Sequence, residues 1–245
     1  MDIIKKIENT KVDWNDFESA SEITTELLNE LCSAQQNIES LIDYMLRSKR
    51  LRGMCESNSL LDVLVLYDSL EDQGIRIRMH IAKKSQLHRP HDHRWSFTTK
   101  ILSGGYDHAV YKTNTSPYEI TDLSNSVDYQ SPVCPDPNYL LGNKNFELVL
   151  KHRMQPGATM TICHSNVHTV EMKEGACSII IRGPAAKERS LIYDFDNEKL
   201  WWRFGANNET EKRQNEKKMS SEHLKLVIQN VRESLCNVPP NQESF

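Results

Sequence analysis

The spacing of apolar residues changes from a helical period to a period of two near residue 60, and this change most constrains the fold. Between residues 75 and 81 every second residue is apolar and the residues between them are Arg or His, which is typical of a half-buried strand. The same reasoning predicts strands at residues 94–102, 105–112, 146–154, 158–163, 168–172, 177–182, 190–195 and 200–204. Turns containing glycine or proline separate most of them. The sequence therefore predicts a mainly β fold, a jelly roll or another closed β architecture.

Three regions follow from these patterns. Residues 1–58 are predicted to form an N-terminal helical extension, residues 59–205 the β-barrel, and residues 206–245 a charged linker with a C-terminal helix. The apolar stripes of the helices must be covered, either by the outside of the barrel or by a second copy of the chain. Residues 122–144 contain four prolines or glycines and few apolar pairs, so we expect a long loop, of the kind that often forms a lid or a site wall.

Composition excludes several classes of protein. The formal net charge of −4 and the scattered lysines and arginines argue against a nucleic-acid partner. No stretch approaches the roughly 20 apolar residues of a membrane span, and the N-terminus lacks a signal-peptide pattern. The six cysteines show no paired short spacing, which favours reduced thiols. We therefore expect a cytoplasmic protein without a membrane partner.

A histidine pair carries the most chemical information. His91 and His93 are two residues apart, so on a strand both imidazoles project from one face. His168 follows a Pro-Gly turn and a short strand, and it begins another apolar strand. Three imidazoles from neighbouring strands would leave positions on a metal open for a substrate. His164 and His88 are weaker candidates, as is His108, and any of these rings could instead be a plain surface or core histidine.

These segments resemble the cupin superfamily. Its first motif is HxH, three or four residues, Glu, six residues and Gly, and its second is a Pro-Gly turn followed by a metal-binding His. The matching residues are His91, His93, Gly104 or Gly105, Pro156, Gly157 and His168. The resemblance covers about residues 75 to 204. It implies a cupin-type jelly-roll barrel that holds one divalent metal through His91, His93 and His168.

One residue of the family pattern is missing. Where the metal-binding glutamate should stand, this chain has Phe97 or Thr98, and residues 75–106 contain no glutamate. The site thus resembles the three-histidine cupins, of which the thiol dioxygenases are the best-known members. That resemblance implies iron(II), with zinc, manganese or nickel as alternatives, or else a site that has lost its metal. Cupins are often dimers, so the resemblance also implies a homodimer.

Four further residues are candidates for handling a substrate. Arg182 ends the strand predicted at 177–182 and could anchor a carboxylate or phosphate, or it could simply pair with an acidic neighbour. Arg94 and Trp95 follow the histidine pair and are predicted to line the pocket, although Trp95 could equally be core. Tyr106, after the double glycine, could donate a hydrogen bond to an oxygen intermediate or pack at the barrel mouth.

The function predicted from these residues is a mononuclear non-haem iron(II) oxygenase. Its partners would be dioxygen and a small substrate with a carboxylate or an amine, and Tyr106 and Arg182 are its predicted catalytic residues. Two alternatives remain: a metal-dependent isomerase or lyase, and a non-enzymatic module that binds a ligand or a partner. Hydrolase, kinase and dehydrogenase functions have no supporting motif.

Overall fold

The computed structural model describes residues 2–72, 74–113, 146–194, 199–204 and 210–236. These residues are mainly β, with helices before and after the strands. The strands are β1 (Glu56–Ser57), β2 (Leu61–Asp68), β3 (Arg76–Ala82), β4 (Gln86–Leu87), β5 (Phe97–Ser103), β6 (Tyr106–Thr113), β7 (Phe146–Met154), β8 (Thr159–Ile162), β9 (Val167–Met172), β10 (Cys177–Arg182), β11 (Arg189–Asp194) and β12 (Lys199–Phe204).

The helices lie at the two ends of the chain, apart from one short 3-10 turn at Leu70–Asp72. They are α1 (Ile3–Asn9), α2 (Phe17–Leu31), α3 (Gln35–Arg47), α4 (Lys49–Gly53), α5 (Glu211–Lys217) and α6 (Ser221–Cys236). None of the helices in the described ranges combines the length and the apolarity needed to cross a bilayer.

The strand order identifies the architecture. One antiparallel sheet has the order β1-β2-β3-β10-β5-β8, a second has the order β4-β9-β6-β7, and β11 pairs with β12 in a hairpin. From β3 to β10 the chain passes back and forth between the two large sheets, and strands far apart in sequence become neighbours, as in a double-sheet jelly roll. The predicted jelly roll with N- and C-terminal helices is therefore confirmed.

The terminal helices cover the outer face of the six-stranded sheet. Leu28 of α2, Leu41 of α3 and Val227 of α6 join Ile77 and Ile181 of the sheet in one apolar cluster, and each of them is at most 4% exposed. Burying such a side chain contributes about 1.5–3 kcal/mol. Of the two predicted ways of covering the helical stripes, the structure shows packing on the barrel.

Two local details differ from the sequence predictions, and a third prediction is not tested. Residues 211–217, which belong to the predicted linker, form α5, whose first turn is capped by the Thr210 hydroxyl. The strand predicted at 94–102 begins three residues later, at Phe97. The loop predicted at 122–144 lies outside the described residues.

Candidate metal site in the jelly roll

A cavity of about 1010 Å³ lies inside the jelly roll and contains the predicted metal ligands. Its wall includes inward-facing side chains of β3, β5 and β10 from one sheet and of β6 and β9 from the other. A concave space with a few convergent polar groups is the usual form of a small-molecule site.

The cavity brings His91, His93 and His168 together. One ring nitrogen from each lies within 4.8 Å of the others, and the Nε2 atoms of His93 and His168 are 2.9 Å apart. Backbone hydrogen bonds join His91 and His168 in both directions, at 3.0 and 2.9 Å. These three residues form a histidine triad.

The loop that carries His91 and His93 is held by the residue between them. Asp92 is 3% exposed, and its carboxylate accepts hydrogen bonds from the Leu191 backbone N–H at 2.6 Å and from the Lys187 ammonium. His91 itself makes only isolated bridges, to His168 and Ile192. The two imidazoles therefore converge through a loop anchored on β11, and not through the regular strand geometry used in the sequence prediction.

Hydrogen bonds fix the orientation of two triad rings. His91 Nδ1 lies 2.8 Å from the Arg89 carbonyl oxygen and donates to it, which leaves Nε2 free as a ligand atom. His168 Nδ1 lies 2.7 Å from His108 Nε2. When His168 binds a metal through Nε2, its Nδ1–H donates to His108. Both contacts are of the kind that orient metal-binding histidines.

Burial keeps the triad imidazoles uncharged. Burial, opposed by the hydrogen bond to the Arg89 carbonyl and assisted by the charge of Arg203, lowers the pKa of His91 to about 4. Burial, then the charge of His91, hold the pKa values of His93 and His168 well below the ordinary range. Neutral imidazoles are the form that binds metal.

Phe97, one of the two residues predicted to stand at the position of the cupin glutamate, lines the cavity. Its ring centroid lies 4.9 Å from that of His93 and 6.2 Å from that of His168, so position 97 faces the triad but offers no ligand atom. The donor set is thus three neutral imidazoles.

Two of the three donors have the spacing of ligands on one divalent metal. Two nitrogens that bind one metal at about 2.1 Å and at roughly a right angle are about 3.0 Å apart, close to the separation of the His93 and His168 Nε2 atoms. A hydrogen bond between the two rings has the same length and is the alternative without metal. Imidazole binds iron, zinc, copper and nickel, so the ligands alone do not name the metal.

The predicted substrate residues all line the same cavity. Trp95 stacks on His93 with a centroid distance of 4.8 Å, and the Arg182 guanidinium lies 5.0 Å from the centre of the indole. Arg94 is half-buried in the wall, and its carbonyl accepts from the Ala186 N–H at 2.7 Å. Tyr106 is buried beside Thr99, and burial raises the pKa of its hydroxyl to about 12.

Two weaker candidates stay apart from the triad. His164 turns toward Ser96, with its Nδ1 3.2 Å from the hydroxyl oxygen, and lies outside the residues that line the cavity. His88 lines the cavity with its ring centroid 6.1 Å from that of His91, and its buried Nε2 has no hydrogen-bond partner. Neither residue belongs to the group of ligand atoms that meet.

Sequence reasoning missed Arg78 and His80 and gave too little weight to His108. Arg78 and His80 occupy the polar positions of β3, and both line the cavity. The available signal was their shared parity on the strand. His108 reaches His168 diagonally across the β6–β9 pair, in which His108 lies opposite Val170. A strand register of this kind is not visible in the sequence.

Comparisons with known proteins add little beyond the fold. No family model and no curated protein matches this chain. Among solved structures, KdgF from a Halomonas species is 10% identical over 53% of this chain and 86% of that chain, with a TM-score of 0.32. The DMSP lyase DddQ from Ruegeria pomeroyi is 9% identical over 54% of this chain and 51% of that chain, with a TM-score of 0.32. Vicilin from hazelnut, Corylus avellana, is 12% identical over 66% of this chain and 36% of that chain, with a TM-score of 0.34. At this distance the similarities say nothing about the activity of this chain.

Proposed function

We propose that this chain is a mononuclear non-haem iron(II) oxygenase in which His91, His93 and His168 hold the metal. The observation that carries the proposal is the convergence of three neutral imidazole nitrogens within 4.8 Å of one another in a cavity large enough for a small organic molecule. Iron(II) held in this way would supply open coordination positions and the electrons that dioxygen activation requires.

The residues around the triad have distinct proposed roles. Asp92 and the Arg89 carbonyl keep the His91–His93 loop in place, and His108 orients His168. Phe97 keeps a carboxylate out of the ligand set, so the site retains the full charge of the metal and favours an anionic substrate.

Three residues of the cavity are proposed to contact the substrate. Trp95 and Arg182 form the wall against which a small carboxylate- or amine-bearing molecule would lie. Tyr106 remains protonated at neutral pH, because burial raises its pKa to about 12, and is the proposed hydrogen-bond donor to a reacting oxygen.

Metal analysis of the anaerobically purified protein tests the proposal. We expect about one iron per chain in the wild type and loss of that iron in His93→Ala, because two imidazoles cannot replace three. His164→Ala is the matched control, since this neighbouring histidine lies outside the triad.

A second readout tests access of a diatomic gas to the iron. Nitric oxide, a spectroscopic substitute for dioxygen, should give a high-spin iron–nitrosyl signal in the wild type and in His164→Ala but not in His93→Ala. Full iron occupancy in His93→Ala, or equal loss of iron in both variants, would refute the assignment of the ligands. A wild-type protein that holds iron but gives no signal would refute the oxygenase.

A further inference from the structure

Two arginines from neighbouring strands converge on one indole ring in the cavity. Arg78 lies opposite Ile180 in the β3–β10 pair, so Arg182 is its diagonal neighbour on the same face of the sheet. The Arg78 guanidinium lies 6.0 Å from the centre of the Trp95 ring, and the Arg182 guanidinium lies 5.0 Å from it. Two positive charges thus share a small part of the cavity wall.

Neither guanidinium pairs with a carboxylate among the described residues. Asp68, an acidic residue near this wall, already binds Arg50 and Arg76. Arg182 is 6% exposed, and its hydrogen bond goes to the Gly183 carbonyl at 3.0 Å. The Nε atoms of Arg78 and Arg182 are buried without any hydrogen-bond partner.

The electrostatic surroundings disfavour the charged form of both arginines. Burial, and then the charges of Arg78 and Arg76, lower the pKa of Arg182 to about 8. Burial, followed by the charge of Arg76, lowers the pKa of Arg78 to about 10. Two like charges held close together at a buried wall are unfavourable unless a counter-charge arrives. Glu56 and Asp68 favour the charged forms only from a distance, and no carboxylate among the described residues forms an ion pair with either guanidinium, so a bound anion would supply the missing partner.

We propose that Arg78 and Arg182 form an oxyanion site for the doubly charged head of the substrate, a phosphate monoester or a phosphonate. Each guanidinium presents a planar fork of N–H donors, and a tetrahedral group with three free oxygens can accept from two forks at once. A dianion balances both charges, whereas a single carboxylate balances only one.

Trp95 connects this site to the histidine triad. The centre of the indole lies 5.0 and 6.0 Å from the two guanidiniums and 4.8 Å from the centre of the His93 ring. A molecule with its charged head on the arginines would therefore extend along Trp95 toward the triad. The oxyanion site itself needs no metal. The inference rests on the proposed function only where it places the reacting part of the substrate at the triad.

Calorimetric titration of the full chain at pH 7.5, with and without a chelator, tests the site. The probes are inorganic phosphate, which is mostly dianionic at this pH, and methanesulfonate and acetate, which carry one charge. We expect phosphate to bind at least about tenfold more tightly than either monoanion. Equal affinity for the three probes would overturn the assignment of a dianionic head.

Arginine variants test which residues bind the anion. Arg78→Met and Arg182→Met should each raise the phosphate Kd about tenfold or more, while Arg153→Met, a change at an exposed position of β7, should leave it unchanged. Arg182→Lys keeps the charge but loses the fork and should weaken binding several-fold. Unchanged phosphate affinity in either methionine variant, or in Arg182→Lys if the methionine variants do not fold, would overturn the proposal.

Metal content separates this inference from the proposed function. Arg78→Met should keep the wild-type metal content, and His93→Ala should keep the wild-type phosphate affinity in the presence of chelator. Binding of iron without preferential binding of phosphate would leave the oxygenase proposal standing and refute the oxyanion site. The reverse result would refute only the oxygenase.

Discussion

His80 should make the folded chain sensitive to mild acid. Its ring lines the cavity on β3, and its Nε2 is buried without a partner. Burial, followed by the charge of Arg78, lowers its pKa to about 3, whereas an unfolded histidine titrates near its usual value of about 6.5. Between these two values the unfolded chain binds more protons than the folded chain, so the free energy of unfolding falls as the pH falls.

The size of the effect follows from the two pKa values. At pH 8 both states are neutral at this position and His80 contributes nothing. At pH 5 the unfolded state gains about 2 kcal/mol from protonation of His80, and the folded state gains almost nothing. His80→Gln cannot be protonated, so its loss of stability between pH 8 and pH 5 should be smaller than that of the wild type by about 2 kcal/mol.

Urea unfolding followed by tryptophan fluorescence, in the presence of a chelator, measures this difference. The pH 8 value of each protein is the internal reference, because it contains the packing cost of the substitution and no contribution from titration. The other buried histidines are common to both proteins and cancel in the comparison. If wild type and His80→Gln lose the same free energy between pH 8 and pH 5, within about 0.5 kcal/mol, the cavity does not hold His80 in its neutral form.

Two further predictions concern the scaffold and use the same unfolding assay. Leu41→Ala should destabilise the chain by about 2–5 kcal/mol, since this side chain is 0% exposed between α3 and the sheet. The control, Phe17→Ala, changes a side chain that is 38% exposed and should alter stability by less than about 0.5 kcal/mol. Equal effects of the two substitutions would refute the packing of the helices on the barrel. Gly105→Ala should destabilise the chain by about 2 kcal/mol or more, because φ is +79° and the new Cβ would lie 2.5 Å from the Met154 carbonyl oxygen. Gly53→Ala is the control: apart from its chain neighbours and its own helix backbone, no described atom lies within 4 Å of its Cβ position at the end of α4, so a gain of about 0.5–1 kcal/mol is expected.

The period-two pattern of β3 predicted the strand but not which face would enclose the site. Alternation separates two faces and leaves open what covers each one. Here the terminal helices cover the face of Ile77 and Met79, so the opposite face, with Arg78 and His80, points into the cavity. On β3 the inner positions can be polar, because the apolar contacts of this strand with the helices lie on its outer face.

The sequence predicted which histidines form the triad but not how the chain brings them together. The two cupin-like motifs were sufficient to select His91, His93 and His168. They could not exclude His164, which turns away because the Ser96 hydroxyl binds its ring and its backbone N–H. Strand geometry was also the wrong reason for placing His91 beside His93, because the actual cause is a loop tied to distant strands. Such long-range pairings leave no periodic signal in the sequence.

Residues that stabilise the fold and residues that line the cavity alternate along the same strands. On β3 and β10 the outward residues Ile77 and Ile181 are fully buried against the helix layer. The inward residues Arg78, His80 and Arg182 leave polar atoms without partners, which costs stability. A chain selected for stability alone would replace these three by apolar residues, and such a change would be tolerated because the helix side of the sheet is independent of them. All three side chains line the cavity, where a bound ligand would supply the missing hydrogen-bond partners.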